Sequence, residues 1–416
     1  MAVEEREIGL EGFSGELLRP GNEGYDIARR VHNGMIDKRP GLIARCRGVA
    51  DIVAAVDHAR DAGAEISIKG GGHNVAGRAV TEGGVMIDLS PMRGVHVDPA
   101  GRTARAQAGV TWGELNRETQ LHGLAVTGGT ISTTGIAGLT LGGGLGWLMG
   151  KHGLAADNLL SAEVVTASGD VVTASDSENP DLFWALRGGG GNFGVVSSFE
   201  YRLHPVGPTI TGGLAIHPFS DAAAVLRFFR EFTATVADEL GVMAALLHAP
   251  DGSGMKLAAL LVCHAGSQSE AQEDLAELVA FGSPVDVQIG PMPYSAVNMM
   301  LDGGFPEGAF NYWKSSFLSE LSDAAIETMV AQFASCTSSP MSAIVLEHFH
   351  GAVTRMPVDA TAVPHRSDGY DLLIIGEWLD PATTGENVAW TRDAFAACGR
   401  SLPTSCAMST TWTATM

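Results

Sequence analysis

The stretch that decides the fold is IKGGGHNVAG, residues Ile68 to Gly77. Residues 66–68 predict a short strand that runs directly into three consecutive glycines. Glycine lacks a Cβ, so backbone N–H groups can approach a phosphate closely, and turns with positive φ become accessible. The one histidine that follows, His73, therefore stands in a loop that we expect to contact a ligand. A histidine at a strand end is otherwise most often structural or at the surface.

The segments around this loop have the periodicities of a mixed α and β structure. Val49, Ile52, Val53 and Val56 recur at i, i+3, i+4 and i+7, which predicts an amphipathic helix that ends near Gly63. Strands are predicted at residues 85–89, 95–97 and 103–108, a helix over 110–123, and a hairpin with its turn at 168–170.

Two further glycine-rich regions follow in the same half, at 126–150 and at 186–194, and each cluster is expected to follow a strand. One cluster alone would be read as tight turns. Three clusters indicate one large phosphate-bearing ligand contacted from several loops. There is no GxxxxGK[ST] motif, and GGGLGW is not followed by a βαβ unit with an acidic residue at the expected distance, so a Rossmann site is disfavoured.

The second half of the chain has a different pattern of predicted strands and helices. Pro205 and Pro208 mark a domain boundary, and strands and helices then occur in runs, which predicts an α+β domain on an antiparallel sheet. Strands are expected at GGLAIHPF, VMAALLHAP, KLAALLVCHAG, SAIVLEHFHGAV and YDLLIIGEWLD, with helical segments around 222–240 and 267–281.

Composition sets the remaining bounds. A length of 416 residues favours two domains, and the net charge of −21 argues against nucleic acid and anionic membranes as partners. The five cysteines are scattered without metal-binding spacing, so neither a metal site nor a disulfide framework is predicted. No signal peptide or membrane span is visible, and the default compartment is the cytoplasm.

With these motifs in view, the chain resembles the berberine-bridge-enzyme-like group of the vanillyl-alcohol-oxidase superfamily, most closely its bacterial members. The resemblance is dense from Arg39 to about Gly207, in IKGGGHNVAGRAV, GGVMIDLSPMRGVHVD, TTGIAGLTLGGGLGWLMGKHGLAADNLLSAEVVTASGDVV and NPDLFWALRGGGGNFGVV. It continues weakly in TAVPHR and IGEWLD. It implies a two-domain PCMH-type fold of the α+β class: an N-terminal segment (1–37), an FAD-binding domain (38–207) and an antiparallel-sheet substrate domain (208–398).

The resemblance also implies the cofactor and its contacts. FAD is expected, with its flavin ring attached through the 8α carbon to His73, and Lys69 stands where arginine is commoner. Some members attach the ring a second time through a cysteine; that place holds Ile131 here, and residues 126–150 contain no cysteine, so a single link is implied. The implied FAD-binding residues are Lys69, Gly70, Gly71, Gly72, His73, Asn74, Gly77, Thr127, Gly128, Thr133, Thr134, Gly135, Gly138, Gly142, Gly143, Gly144, Trp147, Gly194 and Val196.

The implied reaction is oxidation of a C–H beside oxygen or nitrogen in a small alcohol, sugar or amine, with hydride passing to the flavin and O2 giving H2O2. Candidate bases are Glu347, His350 and Glu377; in LEHFHG, Glu347 and Phe349 share one strand face and His348 and His350 the other. Each of these is alternatively a solvated or edge-strand polar residue. His365 and Arg366 are expected to make loop contacts, and residues 312–314 to line the pocket or belong to the core. A dehydrogenase that uses another acceptor and a flavin-binding protein without catalysis remain alternatives.

The resemblance ends abruptly near the carboxyl terminus. Residues 385–397 read as a late helix of the family, whereas CGRSLPTSCAMSTTWTATM has neither apolar periodicity nor tyrosine. Read one register over with GC-rich codons, residues 399–416 can encode a Tyr-Val-Asn-Tyr segment typical of the family. We therefore expect 399–416 to be an aberrant, frameshifted tail. A natural short variant with a disordered tail is the alternative.

Overall fold

The computed structural model describes residues 10–336 and 339–400. The strands are β1 Glu16–Leu18, β2 Leu42–Arg45, β3 Ile66–Lys69, β4 Val85–Asp88, β5 Val95–Asp98, β6 Thr103–Gln107, β7 Leu124–Ala125, β8 Leu159–Val165, β9 Val171–Ser175, β10 Val195–Arg202, β11 His204–Pro205, β12 Thr209–Pro218, β13 Leu240–His248, β14 Lys256–His264, β15 Asp286–Pro293, β16 Phe310–Leu318, β17 Ala343–Phe349 and β18 Gly369–Trp378.

The helices are α1 Tyr25–Ala28, α2 Val49–Asp61, α3 Trp112–Thr119, α4 Ile136–Leu141, α5 Met149–His152, α6 Pro180–Leu186, α7 Ala222–Thr233, α8 Gln268–Asp274, α9 Ala276–Ala280, α10 Tyr294–Met299, α11 Asp323–Ala334, α12 Ala352–Arg355 and α13 Thr384–Arg400. Short 3-10 helices lie at Gln120–His122, Ala156–Asn158, Phe219–Asp221, Asp302–Gly304 and Pro381–Thr383.

Each sheet is built from strands of one half of the chain. The first half holds a four-stranded sheet β1-β2-β4-β3, a five-stranded antiparallel sheet β5-β6-β10-β8-β9 and the pair β11-β7. The second half holds one seven-stranded antiparallel sheet, β15-β12-β14-β13-β17-β18-β16. The predicted α+β fold with an antiparallel sheet in the second half is confirmed.

Local sequence explains how the helices near the glycine loop begin and pack. The four predicted stripe residues of α2 all pack on the core of the first half: Ile52 and Val56 are buried, and Val49 and Val53 are partly buried against it. Helix α3 starts at a capping box, because Thr111 accepts from the backbone N–H of Glu114 and the Glu114 carboxylate accepts from that of Thr111.

The seven-stranded sheet has two different faces. One, the helix face, packs on α7, α11 and α13 through a core that includes Leu346, Leu372 and Trp390. The other, which we call the site face, packs on the first half of the chain. There Met243 and Leu261 join a cluster with Trp147, while Phe317 and Phe349 join one with Met149 and Leu154. Any substrate held between the two halves therefore lies against the site face.

Three sequence expectations need correction or completion. The third glycine cluster follows helix α6, not a strand, because Asn179-Pro180 starts a helix there with proline at its first position. Residues 234–239 are not helical, since α7 ends at Thr233 and β13 begins at Leu240. Strands β15 and β16 were not predicted. The late helix is confirmed as α13, which runs through Arg400, and the rest of the expected aberrant tail lies outside the described residues.

Within residues 10–336 and 339–400, no helix combines the length and the apolar character needed to span a membrane.

Candidate active site

The glycine loop of residues 70–72 passes the loop of residues 133–135 backbone against backbone. A Cβ built on Gly71 would overlap the amide nitrogen of Gly135, and one built on Gly135 would overlap that of Gly71. Gly72 has φ +68°, a left-handed conformation that favours glycine. The approach of the two loops therefore requires glycine on both sides.

The amides of this loop are available to a ligand. Among the described residues, the backbone N–H groups of Gly71 and His73, both half-buried, donate no hydrogen bond. Buried or half-buried amides of this kind are normally satisfied, and successive N–H groups in a glycine turn form an anion-binding concavity. The loop therefore fits a phosphate-bearing group.

His73 is held by a hydroxyl on one side and a second imidazole on the other. Its Nε2 lies 3.0 Å from Oγ1 of Thr133, and its ring stacks on that of His32 with centroids 3.9 Å apart. Burial, and secondarily the neighbouring His32, lower the pKa of His73 to about 3. The imidazole is consequently neutral near pH 7, the state in which a histidine nitrogen is a nucleophile.

The N-terminal segment that contains Ala28 and Asn33 forms hydrogen bonds with the glycine loop and its neighbours. The ammonium group of Lys69 donates to the carbonyl of Ala28 at 2.9 Å. The side-chain amide of Asn33 donates at 2.8 Å both to the carbonyl of Val75 and to that of Asn311 on β16. Lys69 therefore ties the start of the loop to the N-terminal segment, and Asn33 joins the loop to the seven-stranded sheet.

Other predicted FAD residues lie where packing also requires them. A Cβ on Gly128 would overlap the ring of Trp112, and one on Gly194 would lie 2.7 Å from the carbonyl oxygen of Val165. Val196 is buried in the core of the first half, and Trp147 is buried in the cluster between the first half and the site face. Thr127 is buried with no hydrogen bond to its hydroxyl in the described chain. The remaining predicted contacts, Gly70, Gly77, Thr134, Gly138, Gly142 and Gly144, lie in or beside the same glycine-rich loops.

Two of the glycine clusters face a strap from the second half, residues 359–366. A Cβ on Gly143 would lie 3.1 Å from Val363, and one on Gly188, whose φ is +122°, would lie 2.6 Å from it. The amide of Ala362 donates to the carbonyl of Arg187 at 3.1 Å. The loop contact expected of Arg366 is confirmed by its ion pair with Asp157, 2.7 Å between Nη2 and Oδ1. Gly143 and Gly188 are therefore needed for close packing of the strap, independently of any cofactor.

The site face carries a buried carboxyl pair. Glu347 on β17 and Asp371 on β18 are register partners and therefore point to the same face. Burial raises the pKa of both, and the neighbouring Asp371 raises that of Glu347 further. Oε2 of Glu347 has no hydrogen-bond partner in the described chain. Two adjacent buried carboxyls cannot both ionise readily, so the pair retains a proton near neutral pH.

The sequence did not single out Asp371. The available signal was the alternation along β18, which places residues 371, 373, 375 and 377 on one face. Its partner across the sheet depends on register, which the sequence does not display.

Glu377 lies on the same face but near the other end of β18. It is fully buried, and both carboxylate oxygens lack partners among the described residues. Burial raises its pKa from 4.5 to about 8. It lies six positions beyond Asp371 along the strand, a separation of roughly 20 Å. A small substrate therefore contacts one acid or the other.

His350 lies apart from these carboxyls. Its ring stacks on that of His348 with centroids 4.3 Å apart, and its Nε2 lies 3.4 Å from the carbonyl oxygen of Ala237. A Cβ on Gly150 would lie 2.7 Å from this ring. These are packing contacts, so the catalytic role predicted for His350 gains no support from its surroundings.

The predicted pocket residues of β16 divide between the faces. Tyr312 and Lys314 lie on the helix face, where the phenol accepts from Nε of Arg392 at 3.1 Å and the ammonium group lies 5.9 Å from the ring of Phe395. Trp313 lies on the site face, half-buried, and its indole N–H donates to Asn311 at 3.0 Å. Val345 and Leu373, in the middle of the sheet, are also only half-buried. This apolar opening separates the two acidic ends.

Comparison with known proteins agrees with this arrangement. A family described as an FAD binding domain matches residues 40–175. The chain is 34% identical over 387 residues to (R)-6-hydroxynicotine oxidase of Paenarthrobacter nicotinovorans, covering 90% of this chain and 82% of that protein. The chain therefore belongs to the PCMH-type FAD-linked oxidase family that includes this enzyme, and it is an oxidoreductase that binds FAD.

Solved structures have the same fold. The crystal structure of 6-hydroxy-D-nicotine oxidase from Arthrobacter nicotinovorans superposes with a TM-score of 0.86 at 31% identity, covering 97% of this chain and 89% of that one. Physcomitrella patens BBE-like 1 superposes with a TM-score of 0.86 at 22% identity, covering 95% and 88%, and shares the fold.

Proposed function

We propose that this chain is an oxidase that removes a hydride from the carbon beside nitrogen in a small, largely apolar amine. His73 would hold FAD covalently, and the bound flavin would supply the hydride acceptor, with O2 as the final oxidant and H2O2 as its product. The observation that carries the proposal is the buried Glu347–Asp371 pair on the site face.

The carboxyl pair is suited to take a proton from the substrate. Hydride leaves a neutral amine more readily than an ammonium ion, because the lone pair stabilises the cation that forms. With one proton shared between Glu347 and Asp371, the pair carries one negative charge that can bind an ammonium group and then accept its proton. Its raised pKa brings it near the pH at which it would work.

The lining of the site face favours an amine over a sugar or an acid. The residues of β16, β17 and β18 on that face are Asn311, Trp313, Ser315, Phe317, Ala343, Val345, Glu347, Phe349, Asp371, Leu373, Ile375 and Glu377. Within these three described strands the face has no lysine, arginine or histidine. An anionic substrate would have no countercharge there, and a sugar would find few donors beside the apolar middle. A cation with an apolar body fits both features.

The comparisons support the same choice. The relative at 34% identity is named as an oxidase of 6-hydroxynicotine. Two structures with the fold, at 24% identity, are named as chitooligosaccharide and xylooligosaccharide oxidases, so the fold itself does not select the substrate.

A substrate panel with two readouts tests the proposal. The purified protein is mixed anaerobically with amines, alcohols and sugars of matched size while flavin bleaching is followed, and peroxide is then measured in air. We expect bleaching by amines and stoichiometric peroxide. Glu347→Gln and Asp371→Asn should each lower the bleaching rate by about 100-fold or more, whereas Glu277→Gln, at an exposed position on α9, should not.

The other results discriminate the alternatives. Bleaching by alcohols or sugars but not amines would refute the amine assignment. Bleaching without peroxide would identify a dehydrogenase, and no bleaching by any compound would favour a flavin-binding protein without catalysis.

A further inference from the structure

The ring that stacks on His73 belongs to a segment far from it in sequence. His32 lies parallel to His73, with an interplanar angle of 18° and centroids 3.9 Å apart. The residue is 7% exposed, and its Nε2 has no hydrogen-bond partner among the described residues. A buried ring nitrogen without a hydrogen-bond partner costs stability, so the position of His32 calls for another reason.

The backbone fixes His32 on both sides. Its N–H donates to the carbonyl of Gly72 at 3.0 Å, and its carbonyl accepts from the N–H of Gly308 at 3.0 Å. Asn33 then bonds the glycine loop at Val75 and the sheet at Asn311. The ring of His32 is therefore a fixed plane placed against the loop.

His73 is thereby confined in two directions. The stack restricts rotation of its ring out of the plane, and the contact between Nε2 and Thr133 restricts rotation within the plane. Nδ1 of His73 makes no hydrogen bond in the described chain, so this nitrogen remains for bond formation when Nε2–H donates to the threonine hydroxyl.

We propose that His32 is a positioning residue for the covalent attachment of flavin to His73. The inference rests on the proposed His73 linkage and adds to it the residue that orients the nucleophile. In the attachment, one hydrogen leaves the imidazole N–H and one leaves the flavin 8α methyl group as the N–C bond forms. The two electrons and two protons released reduce O2 to H2O2, and the ring ends in its oxidised state.

The physical basis is pre-organisation. A histidine on a glycine-rich loop has many accessible orientations, and attack on carbon requires one of them. A flat partner at stacking distance removes most of the others, at no cost at the moment of reaction. An aromatic ring that does not titrate should therefore replace His32, whereas an aliphatic side chain of similar volume should not.

The rate of attachment tests this directly. Full-length protein is produced without flavin in a riboflavin-starved host and mixed with FAD in air. Samples are denatured over time, and flavin fluorescence on the polypeptide is measured on a denaturing gel. His32→Ala and His32→Leu should slow attachment about tenfold or more, and His32→Phe should stay within about threefold of the wild type.

Two controls separate positioning from folding and from affinity. His204→Ala removes a histidine from the other first-half stack, in which His152 and His204 also lie 3.9 Å apart, and should leave the rate within about twofold of the wild type. In a His73→Ala background, which cannot attach, His32→Ala should change the FAD dissociation constant by less than about threefold.

The results have distinct meanings. An unchanged rate in His32→Ala, a His32→Phe variant as slow as His32→Leu, or a loss of FAD affinity equal to the loss of rate would each overturn the positioning role and leave the His73 linkage standing. If wild-type protein acquires no covalent flavin, the linkage and the positioning role both fail.

Discussion

Arg366 forms a bidentate ion pair with Asp157, and this ion pair joins the strap of the second half to the glycine-rich half. Nη1 and Nη2 each donate to one carboxylate oxygen at 2.7 Å, and Nη2 also donates to the hydroxyl of Thr361 at 2.7 Å. The two side chains are 3% and 6% exposed. Both charged groups are buried, and they are joined by two parallel hydrogen bonds. Removal of one partner therefore leaves the other as a buried, unpaired charge.

Arg366→Met or Asp157→Asn alone should lower the free energy of unfolding by about 3–5 kcal/mol. The double variant should lose less than the sum, because no charge is left unpaired. Denaturant unfolding of the four proteins measures this cycle. The matched control is the exposed pair of Arg355 and Asp238, where the same substitutions should cost about 1 kcal/mol or less. Additive losses at the buried pair would refute the account.

His73→Ala should abolish the flavin fluorescence that remains with the denatured polypeptide, because it removes the proposed attachment nitrogen. Thr133→Val should retain the linkage but slow its formation, since the contact at 3.0 Å orients the ring. Fluorescence of denaturing gels measures both. His96→Ala, at an exposed position on β5, is the control. Release of all flavin from acid-precipitated wild-type protein would show that the cofactor is not covalently bound.

Peptide mapping should find flavin on the His73 peptide and on none of the five cysteines. By the family resemblance, Ile131 stands where a cysteine would be needed for a second attachment. Burial raises the thiol pKa of Cys263 to about 12 and those of Cys336 and Cys398 to about 11, and it raises that of Cys46 as well. Little thiolate is therefore present at these four cysteines to attack the ring, and Cys406 lies outside the described residues. A flavinylated cysteine peptide would contradict the single link.

Glu377 should make stability fall as pH rises. Burial raises its pKa from 4.5 to about 8, so between these values the folded chain keeps a proton that the unfolded chain has lost. Unfolding then releases that proton, and the free energy of unfolding falls by up to about 1.4 kcal/mol per pH unit relative to Glu377→Gln.

Denaturant unfolding of wild type and Glu377→Gln across that pH window measures the difference. It should be nearly constant below about pH 4.5 and above about pH 8. Glu386→Gln, exposed in the first turn of α13, should show no such trend. A pH-independent difference for Glu377→Gln would mean that the carboxyl is not buried in its protonated form.

Asp371→Asn should shift the acidic limb of the kcat/KM profile to lower pH while lowering its plateau. The Asp371 charge raises the pKa of Glu347, so its removal lets Glu347 ionise at lower pH. The profile is measured with the best amine from the substrate panel. Glu277→Gln should leave the limb in place. A limb that stays in place in Asp371→Asn would show that the two carboxyls do not titrate together.

Local sequence was enough for the features that depend on neighbours along the chain. Three glycines after a strand permit close backbone approach wherever the loop lies, so the Gly70–Gly72 loop was predictable, whereas its contact with Gly135 was not. The twofold alternation of β17 correctly separated Glu347 from His348 and His350, because side chains on a strand alternate whatever its partners.

Only the tertiary structure decided which distant residues meet. The stack of His32 on His73 joins segments 41 residues apart, and the pairing of Glu347 with Asp371 depends on a register that no local pattern encodes. The strap against Gly188 likewise gave a packing reason for a glycine that had been assigned to the cofactor's clusters. The physical reason is the same in each case: conformational preference acts over a few residues, whereas contact, burial and the pKa shifts they cause are set by chain segments brought together only on folding.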